Sequence, residues 1–309
     1  MPELPDVSLY VEALQERVAG KALERVRLAS PFLVRSVNPP VRGCERKRVT
    51  GVRRIGKQIV FAFEDELFLV IHLMIAGRLH WKPKDAKVAG KIGLAAFDFE
   101  SGTLVFTEAG TKKRASLHCV HGESSLAQFN RGGIEPLTCN QAAFRAALTR
   151  EDHTLKRALT DPTILSGIGN SYSDEILHRA RMSPTKRTPH LSTAEFAQLR
   201  AACRDILTEW TDRLRKEAAG AFPEKVTAFR DGMAVHGRYG KPCPDCGAPV
   251  KRIVHGEHET NYCAPCQTSG KLLADRALSR LLGRDWPRSL EAMEAHQEAA
   301  KRILHSNGH

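Results

Sequence analysis

Two features of this 309-residue sequence combine residue types and spacings that could do chemistry. The first is the chain start, where removal of Met1 would leave Pro2 with a free secondary amine. An α-amino group titrates at roughly pH 8, so part of it is neutral and nucleophilic at physiological pH. Glu3 beside it could donate a proton. The alternative is that Pro2 and Pro5 only stiffen the chain start and that Asp6 caps the first helix.

The second feature is a pair of Cys-x2-Cys motifs separated by sixteen residues. Two such motifs supply four thiolates in a tetrahedral arrangement, which predicts a structural zinc site at Cys243, Cys246, Cys263 and Cys266. A four-cysteine site leaves no open coordination position, so one zinc ion should organise the fold and take no part in a reaction. The segment between the motifs predicts a short β-hairpin, and the whole stretch predicts a zinc ribbon.

The composition restricts the class of protein. The net charge of +12 predicts attraction to polyanions, with nucleic acid as the first candidate. An anionic membrane surface is the competitor, but the sequence contains no basic amphipathic helix and no apolar run near the roughly 20 residues of a membrane span. The acidic, proline-broken N-terminus does not resemble a signal peptide. Eight cysteines without a secretory signal indicate a reducing compartment, which predicts a cytoplasmic protein.

These chemical features must be positioned by a mixture of helices and strands. Apolar residues from Val7 to Val18 recur at helical spacing. From about residue 22 to 120, short runs rich in β-branched and aromatic residues predict a β-sandwich or barrel, with a hairpin reversal at 98–102. From about residue 138 the pattern becomes helical.

Two capping boxes are predicted in the helical part. In a capping box a Ser or Thr side chain and a Glu or Gln three residues later satisfy free N–H groups at a helix start. Thr138 with Gln141 and Ser192 with Glu195 have this spacing.

Residues 154–184 predict two helices joined by a glycine-bearing turn, SGIGN at 166–170. Glycines allow close backbone approach, and free N–H groups at the start of the second helix form an anion site that suits a DNA phosphate. Lys156 would add a positive charge, and Asn170 would add a side-chain hydrogen-bond donor. An ordinary helix hairpin is the alternative, and the basic charge together with the zinc ribbon favours phosphate binding.

Taken together, the MPELPDV start, the segment TLKRALTDPTILSGIGNSYSDEIL and the four-cysteine ribbon resemble the signatures of the Fpg/Nei family of DNA glycosylases. The match is collinear over roughly residues 1 to 267. The resemblance implies an α+β multidomain fold. We expect a catalytic domain with an N-terminal helix and a β-sandwich (1–128), a helix-two-turn-helix DNA-binding domain (129–235), a zinc ribbon (236–270) and a helical C-terminal extension (271–309).

The resemblance also implies catalytic roles at three positions. The family's processed N-terminal proline is its nucleophile, so Pro2 would attack C1′ of the damaged nucleotide and form an iminium that permits elimination. Glu3 would be the acid–base partner that helps to open the sugar ring. Lys57 would contact the phosphate beside the lesion and assist elimination. Without the resemblance, Lys57 reads as a solvated turn residue.

DNA contacts are implied at three further positions. Met74 matches the methionine that enters the base stack where the damaged base flips out, although by pattern alone it reads as a core residue. Lys156 and Asn170 match the phosphate contacts of the helix-two-turn-helix.

Three departures from the family pattern bear on specificity. Where the oxidised-purine branch carries Asp-Pro-Arg-Arg-Phe-Gly, this chain reads EAGTKKRAS, so Lys112, Lys113 or Arg114 would replace the charge but not the stacking ring. The zinc-ribbon arginine is replaced by His258, which predicts a weaker phosphate grip and puts δ-elimination in doubt. The tail beyond the ribbon exceeds the family pattern, and it would pack on the ribbon or recruit a protein partner.

Three functions follow from these observations. The first is a bifunctional DNA glycosylase/AP lyase of base excision repair, a monomer acting on damaged double-stranded DNA by β-elimination. The second is a non-catalytic or weakly catalytic binder of damaged or abasic DNA, and the third is an unrelated zinc-ribbon nucleic-acid protein. The retained Pro2-Glu3 start favours the enzyme, because little but chemistry would require it.

Overall fold

A computed structural model describes residues 1–88, 90–224, 226–255 and 258–273, together with positions 287, 289, 292, 293 and 295. For His255 and His258 it describes the backbone only. The helical extension predicted for 271–309 lies almost entirely outside the described residues.

The chain divides into two compact units. The first unit comprises 1–137, 162–168 and 207–228, and the second unit comprises 138–161, 169–206 and the chain from 229 onward. The domain boundaries expected at residues 128, 235 and 270 stay predictions.

The first unit consists of an N-terminal helix and two four-stranded antiparallel sheets. Helix α1 spans Leu4–Val18. One sheet has the order β1-β6-β7-β5, with β1 (Leu23–Leu28), β5 (Gly77–Lys82), β6 (Gly93–Phe99) and β7 (Gly102–Glu108). The other has the order β2-β3-β4-β8, with β2 (Val49–Ile55), β3 (Gln58–Phe63), β4 (Leu67–His72) and β8 (Ser116–His121). This arrangement confirms the predicted helix and β-sandwich.

One hydrophobic cluster joins α1 to both sheets of the first unit. Phe61 and Phe63 reach it from alternate positions of β3, as the two-residue period of a strand requires. Phe97 and Phe99 reach it from β6 of the other sheet, and Tyr10 reaches it from α1. Because all five side chains are buried, the cluster holds the N-terminal helix against the sandwich.

The start of α1 differs from the prediction in one residue. Glu3 is the N-cap, and Asp6 lies at the third helical position. The Asp6 carboxylate accepts the Glu3 N–H at 2.9 Å, and the Glu3 side chain accepts the Asp6 N–H, so the two residues form a reciprocal capping box. The prediction that Asp6 itself caps the helix is therefore wrong.

In the part of the second unit up to residue 273 that the structure describes, the shorter helices are α2 (Gln141–Thr149), α3 (Leu155–Thr160), α4 (Asn170–Arg179) and α6 (Ala264–Thr268). Strands β9 (Lys251–His255) and β10 (His258–Tyr262) form a two-stranded hairpin. Helix α5 (Thr193–Ala218) belongs to this unit up to Ile206 and to the first unit from Leu207. This part of the chain confirms the predicted helix-two-turn-helix region and the hairpin of the ribbon. Among the described helices, none is both long and apolar enough to cross a membrane.

Of the two predicted capping boxes, one is confirmed. The Ser192 N–H donates to Glu195 Oε2 at 2.9 Å, and the Glu195 N–H donates to Ser192 Oγ at 3.3 Å. The box predicted at Thr138 and Gln141 is wrong, because α2 begins at Gln141 and its N-cap is Asn140. The Asn140 side chain accepts the N–H of Ala143 at 2.8 Å.

Asp98 anchors the hairpin between β6 and β7, whose ends pair Phe99 with Gly102 as the predicted reversal at 98–102 requires. Its carboxylate, 1% exposed, accepts two bonds of 2.7 Å from Arg27, one of 2.7 Å from Thr103 and one of 3.2 Å from Arg25. Burial alone would raise the pKa of Asp98, but these hydrogen bonds outweigh it and hold the pKa below its usual value.

We expect Asp98→Asn to lower the free energy of unfolding at pH 7 by about 2 to 3 kcal/mol, because it leaves the buried donors poorly paired. The folded-state pKa of Asp98 is depressed, so its contribution is complete above the unfolded pKa of about 4 and is lost as the pH falls through the folded value. Chemical denaturation at pH 7 and at pH 3 should therefore show a difference between variant and parent that shrinks in acid.

The matched control for this prediction is Asp85→Asn. Asp85 pairs with Arg25 at 3.1 Å but has a side chain that is 62% exposed, so its loss should cost less than about 1 kcal/mol. Equal losses from the two substitutions would contradict the stabilising role of Asp98.

Candidate active site and zinc ribbon

The chain start is fixed in place by a backbone hydrogen bond within the first unit. The N–H of Leu4 donates to the carbonyl of Gly167 at 2.9 Å. Gly167 has a φ of +81°, and a Cβ at that position would lie 2.9 Å from the Cβ of Leu4. The glycines of this turn predict a close approach of the backbone to another group, and at Gly167 that group is the chain's own N-terminal helix.

Glu3 is buried directly beside Pro2. The Glu3 side chain is tied down by the capping box with Asp6, and the residue is only 2% exposed. Pro2 is also buried. The carboxylate predicted as the acid–base partner is therefore held in one orientation next to the predicted nucleophile.

Lys57 lies in the two-residue turn between β2 and β3, where Ile55 pairs with Gln58 and Gly56 adopts a φ of +59°. Burial lowers the pKa of the Lys57 ammonium, and the nearby Glu3 carboxylate opposes this shift. The sequence alone predicts that Lys57 is a solvated turn residue, but in the structure Lys57 lies near Glu3.

The α-amino group at the chain start shares this environment. Burial lowers the pKa of the Met1 amine, Glu3 and Asp6 raise it, and the positive charges of Arg78 and Lys57 lower it further. These electrostatic interactions place the chain start, Glu3 and Lys57 in one region of the first unit. The structure brings the three predicted catalytic positions together, and their roles stay predictions.

His72 is a neighbour of Lys57 that the sequence analysis missed. It ends strand β4, and burial together with the charges of Lys57 and His118 lowers its pKa to about 4. His72 is therefore a neutral imidazole at pH 7. The one feature of the sequence that points to His72 is its position two residues before Met74.

The turn between β4 and β5 contains the position predicted to enter the base stack. Met74 adopts a positive φ of 51° and is half-buried. The next residue, Ile75, has 57% of its surface exposed. Ile75 is therefore the more exposed apolar residue of this turn.

The loop after β7 presents three cations. Lys112, Lys113 and Arg114 are all exposed. The buried Glu108 carboxylate closes the base of the loop, because it accepts the N–H of Arg114 at 3.0 Å and the N–H of Ala115 at 3.2 Å. The Lys113 ammonium donates to the Glu108 carbonyl oxygen. The loop thus displays positive charge without an aromatic ring.

In the second unit, Lys156 and Asn170 lie together. The Lys156 ammonium pairs with the buried Asp174 carboxylate and donates to the carbonyl oxygen of Asn170 at 2.8 Å. The Asn170 side-chain amide donates to the carbonyl oxygen of Glu259, on β10, at 2.8 Å. Both predicted phosphate contacts are thus hydrogen-bonded within the chain. Asp174 also accepts from His236 Nδ1 at 2.8 Å.

Glu175 organises the segment that leads to the ribbon, and it too was missed. Its carboxylate accepts the backbone N–H groups of Ala234, Val235 and His236 at 2.7 to 2.9 Å. Burial raises the pKa of Glu175, and these hydrogen bonds oppose that rise.

The four predicted zinc ligands converge. The Sγ atoms of Cys243, Cys246, Cys263 and Cys266 all lie within 4.8 Å of one another. Cys243 and Cys266 are 3.9 Å apart, and Cys246 and Cys263 are 3.3 Å apart. A Zn–S bond of about 2.3 Å gives a tetrahedron with edges of about 3.8 Å, so the cluster fits one structural zinc ion.

Hydrogen bonds tie the ribbon cysteines to the end of α4 and the residues after it. His178 Nε2 lies 3.3 Å from the Sγ of Cys243. Gln267 accepts the N–H of Cys263 at 2.9 Å and donates to the carbonyl oxygen of Met182 at 2.9 Å. Such contacts orient metal ligands from outside the coordination sphere. His258 is the first residue of β10, paired with His255, and its predicted DNA contact stays a prediction.

Comparisons with known proteins match all three parts of the chain. Residues 1–112 match the model of the formamidopyrimidine-DNA glycosylase N-terminal domain. Residues 133–216 match the H2TH domain of the same enzymes, and residues 240–268 match a zinc finger found in FPG and IleRS.

Full-length relatives agree with these matches. The formamidopyrimidine-DNA glycosylase of Ligilactobacillus salivarius is 30% identical over 278 residues, which cover 86% of this chain and 99% of the relative. The chain belongs to the Fpg family of DNA glycosylases. Members of this family are bifunctional glycosylase/AP lyases.

The fold of this Fpg-family enzyme also matches solved structures. The Lactococcus lactis Fpg in complex with DNA containing Fapy-dG is 25% identical, with a TM-score of 0.77, and the match covers 86% of this chain and 100% of that chain. The same protein in complex with DNA containing an oxidised pyrimidine matches with the same identity and TM-score.

Removal of zinc from this glycosylase should unfold residues 243–266 and weaken DNA binding, because folding of the ribbon is coupled to the metal. A chelator titration with a zinc-sensitive dye would follow metal release, and fluorescence anisotropy with an abasic duplex would follow binding. Cys246→Ser should behave like the zinc-free protein.

Cys139→Ser is the matched control, because Cys139 lies outside the cluster. This variant should keep its zinc and its affinity for DNA. Unchanged affinity in a verified zinc-free sample would contradict a role of the ribbon in DNA binding.

Proposed function

We propose that this chain is a bifunctional DNA glycosylase/AP lyase of base excision repair. It excises oxidised or ring-opened bases through a Schiff base on Pro2 and cleaves the strand by β-elimination. The observation that carries this proposal is the burial of the chain start beside Glu3 and Lys57, in a chain whose second residue is proline. The proposal also takes the enzyme to be a cytoplasmic monomer.

The reaction begins with the free amine of Pro2, once Met1 has been removed. The amine nitrogen bonds to C1′ of the damaged nucleotide, and the glycosidic bond breaks so that the base leaves with a proton. Glu3 protonates the sugar ring oxygen as the ring opens and the iminium forms. Loss of a proton from C2′ then expels the 3′ phosphate, and Lys57 assists this step.

The electrostatics around the chain start support this chemistry. A nucleophilic amine must be neutral, and burial lowers the pKa of the amine at the chain start. Pro2 is the next residue and is itself buried, so we expect the same surroundings to act on its nitrogen. The secondary amine gives a permanently charged iminium, which withdraws electrons from C2′ and makes its proton acidic.

The substrate class is proposed from the relatives. The Lactococcus lactis Fpg has been crystallised with DNA containing Fapy-dG, and also with DNA containing an oxidised pyrimidine. We propose damaged double-stranded DNA of this kind as the substrate here. Lys112, Lys113 and Arg114 would contact its backbone from the loop after β7, and Lys156, Asn170 and His258 would contact it from the second unit.

We propose that the apolar residues at the β4–β5 turn enter the base stack where the damaged base flips out. Met74 is the residue that the family resemblance favours. The exposure of Ile75 supports a contribution from this second side chain.

Pro2→Gly tests the nucleophile. On a duplex with an abasic site, borohydride reduces the iminium to a stable crosslink, and we expect the variant to crosslink at least about 100-fold more slowly because its amine is no longer the ring-held secondary amine. Its DNA affinity should stay that of the parent. Mass spectrometry must first show that Met1 is absent from both proteins.

Pro5→Ala is the matched control, because it removes the other proline of the chain start without touching the amine. This variant should crosslink at the parent's rate. Equal crosslinking by Pro2→Gly and the parent would overturn the mechanism.

A second candidate function is a binder of damaged or abasic DNA with little turnover. The loop at residues 109–115 favours it, because its cations bring charge without the aromatic ring that the family pattern has there. The same experiment decides between the two functions. A parent protein without Met1 that binds abasic DNA but forms no crosslink would favour the binder.

His258→Arg tests the altered phosphate contact of the ribbon. A guanidinium should add one charged phosphate contact, which strengthens binding to an abasic duplex by about 1 kcal/mol and raises the slope of log affinity against log salt by about 1. Fluorescence anisotropy at several salt concentrations measures both. The share of δ-elimination product should rise as well.

His255→Arg is the control. His255 pairs with His258 across the hairpin, and this substitution adds the same charge. An equal gain from both variants would show a general charge effect and contradict a specific phosphate contact at position 258.

A further inference from the structure

Strand β5 presents three basic side chains to one stretch of the chain. Arg78, His80 and Lys82 occupy alternate positions and so share one face of the strand. Arg78 Nε donates to the carbonyl oxygen of Val226 at 2.6 Å. His80 Nδ1 and the Lys82 ammonium both bind the Glu224 carboxylate. Glu224 and Val226 are therefore attached to β5, and Phe222 and Val226 are buried in the core of the first unit.

Arg78 also bonds to a second stretch of the chain. Its Nη1 donates to the carbonyl oxygen of Ile75 at 3.1 Å and to that of Gly77 at 2.6 Å. These carbonyls belong to the turn between β4 and β5 and to the first residue of β5. One guanidinium thus joins the turn that carries Met74 and Ile75 to Val226.

Arg78 is also one of the charges that act on the chain start. Its positive charge lowers the pKa of the terminal amine, as does that of Lys57, while Glu3 and Asp6 raise it and burial contributes the largest shift. Arg78 is therefore linked by hydrogen bonds to one functional region and by charge to another.

We propose that Arg78 is a positioning residue of this glycosylase, which holds the β4–β5 turn against Val226. Its positive charge also favours the neutral form of the amine at the chain start. This inference rests on the proposed function, because it takes the chain-start amine as the nucleophile. The two roles use different properties of the same side chain. The bonds to three carbonyl oxygens need the planar guanidinium, whereas the effect on the amine needs only a positive charge.

Two substitutions separate the two roles. Arg78→Met removes both the bonds and the charge, so the midpoint of the crosslinking rate plotted against pH should move up. The rate should then be lower than that of the parent near and below this midpoint, and it should recover at higher pH. Arg78→Lys keeps the charge, so its midpoint should stay that of the parent while KM for a damaged duplex rises several-fold.

Lys82→Met is the matched control. It removes a cation from the same face of β5, four residues after Arg78. The Lys82 side chain is 47% exposed and pairs with Glu224. This variant should keep the parent's pH midpoint. Thermal melting checks that each variant is folded. If Arg78→Met does not fold, Arg78→Gln replaces it, with the same expected shift of the pH midpoint.

The outcomes distinguish this inference from the proposed function. A parent without Met1 that forms no crosslink overturns the proposed function and this inference with it. A parent that crosslinks, with an Arg78→Met or Arg78→Gln variant that keeps both its pH midpoint and its KM, overturns only the role of Arg78. An equal shift of the midpoint in Lys82→Met also overturns it, because the effect would then be one of general charge.

Discussion

The catalytic proposal depends on one constraint, which is that a chain terminus must be as well ordered as a core residue. Chain ends normally fray, because few hydrogen bonds hold them. Here the Leu4 N–H is bonded to Gly167, and the reciprocal bonds of Glu3 and Asp6 lock the residues that follow Pro2. The buried face of α1 then ties this start to both sheets. A nucleophile that is the first residue of a chain can be positioned only if its neighbours are fixed in this way.

The same burial that orders the chain start also sets its electrostatics. Removing an amine from water disfavours its charged form, and two nearby cations, Arg78 and Lys57, act in the same direction. The negative charge of the Glu3 carboxylate raises the pKa of the amine and partly balances these positive charges. Lys57 is affected in turn, because burial lowers its own pKa. Burial thus favours the neutral forms of both amines in the site, while the Glu3 carboxylate opposes this effect on each of them.

Local patterns in the sequence predicted those parts of the fold that depend on residues close together in the chain. Each of these features follows from a spacing that one element can satisfy. They are the period of α1, the reversal at 98–102, the capping box at Ser192 and Glu195, and the four cysteines. The misplaced caps have a local cause as well. Glu is not among the favoured N-cap residues, so the sequence pattern indicated Asp6 instead of Glu3 as the N-cap of α1. For α2, Thr138 and Asn140 are both favoured N-cap types and lie two residues apart, so the pattern did not separate them.

The contacts that complete the site join residues far apart in the sequence, and no local period reveals them. The bond from Arg78 to Val226 spans 148 residues, and the close approach of Gly167 to Leu4 depends on a turn that returns to the first unit after the chain has left it. The family resemblance named Lys57 as catalytic, but its burial beside Glu3 follows from the packing of β2 and β3 around α1. The sequence and the family resemblance could therefore name the proposed reacting groups, whereas the contacts that hold these groups in place required the structure.

The zinc ribbon contacts the residues that are proposed to bind phosphate in the second unit. The ribbon positions β10, and the Glu259 carbonyl on that strand accepts the Asn170 amide, while Asn170 in turn offers its own carbonyl to Lys156. Gln267 and His178 link two of the cysteines to Met182 and α4. Both proposed phosphate contacts in the second unit are thus hydrogen-bonded to each other, and Asn170 is bonded to the strand that leads to Cys263. Because each bond in this series is buried or partly buried, a loss of order at the cysteines should reach Asn170 through the backbone of β10 rather than through a change in net charge.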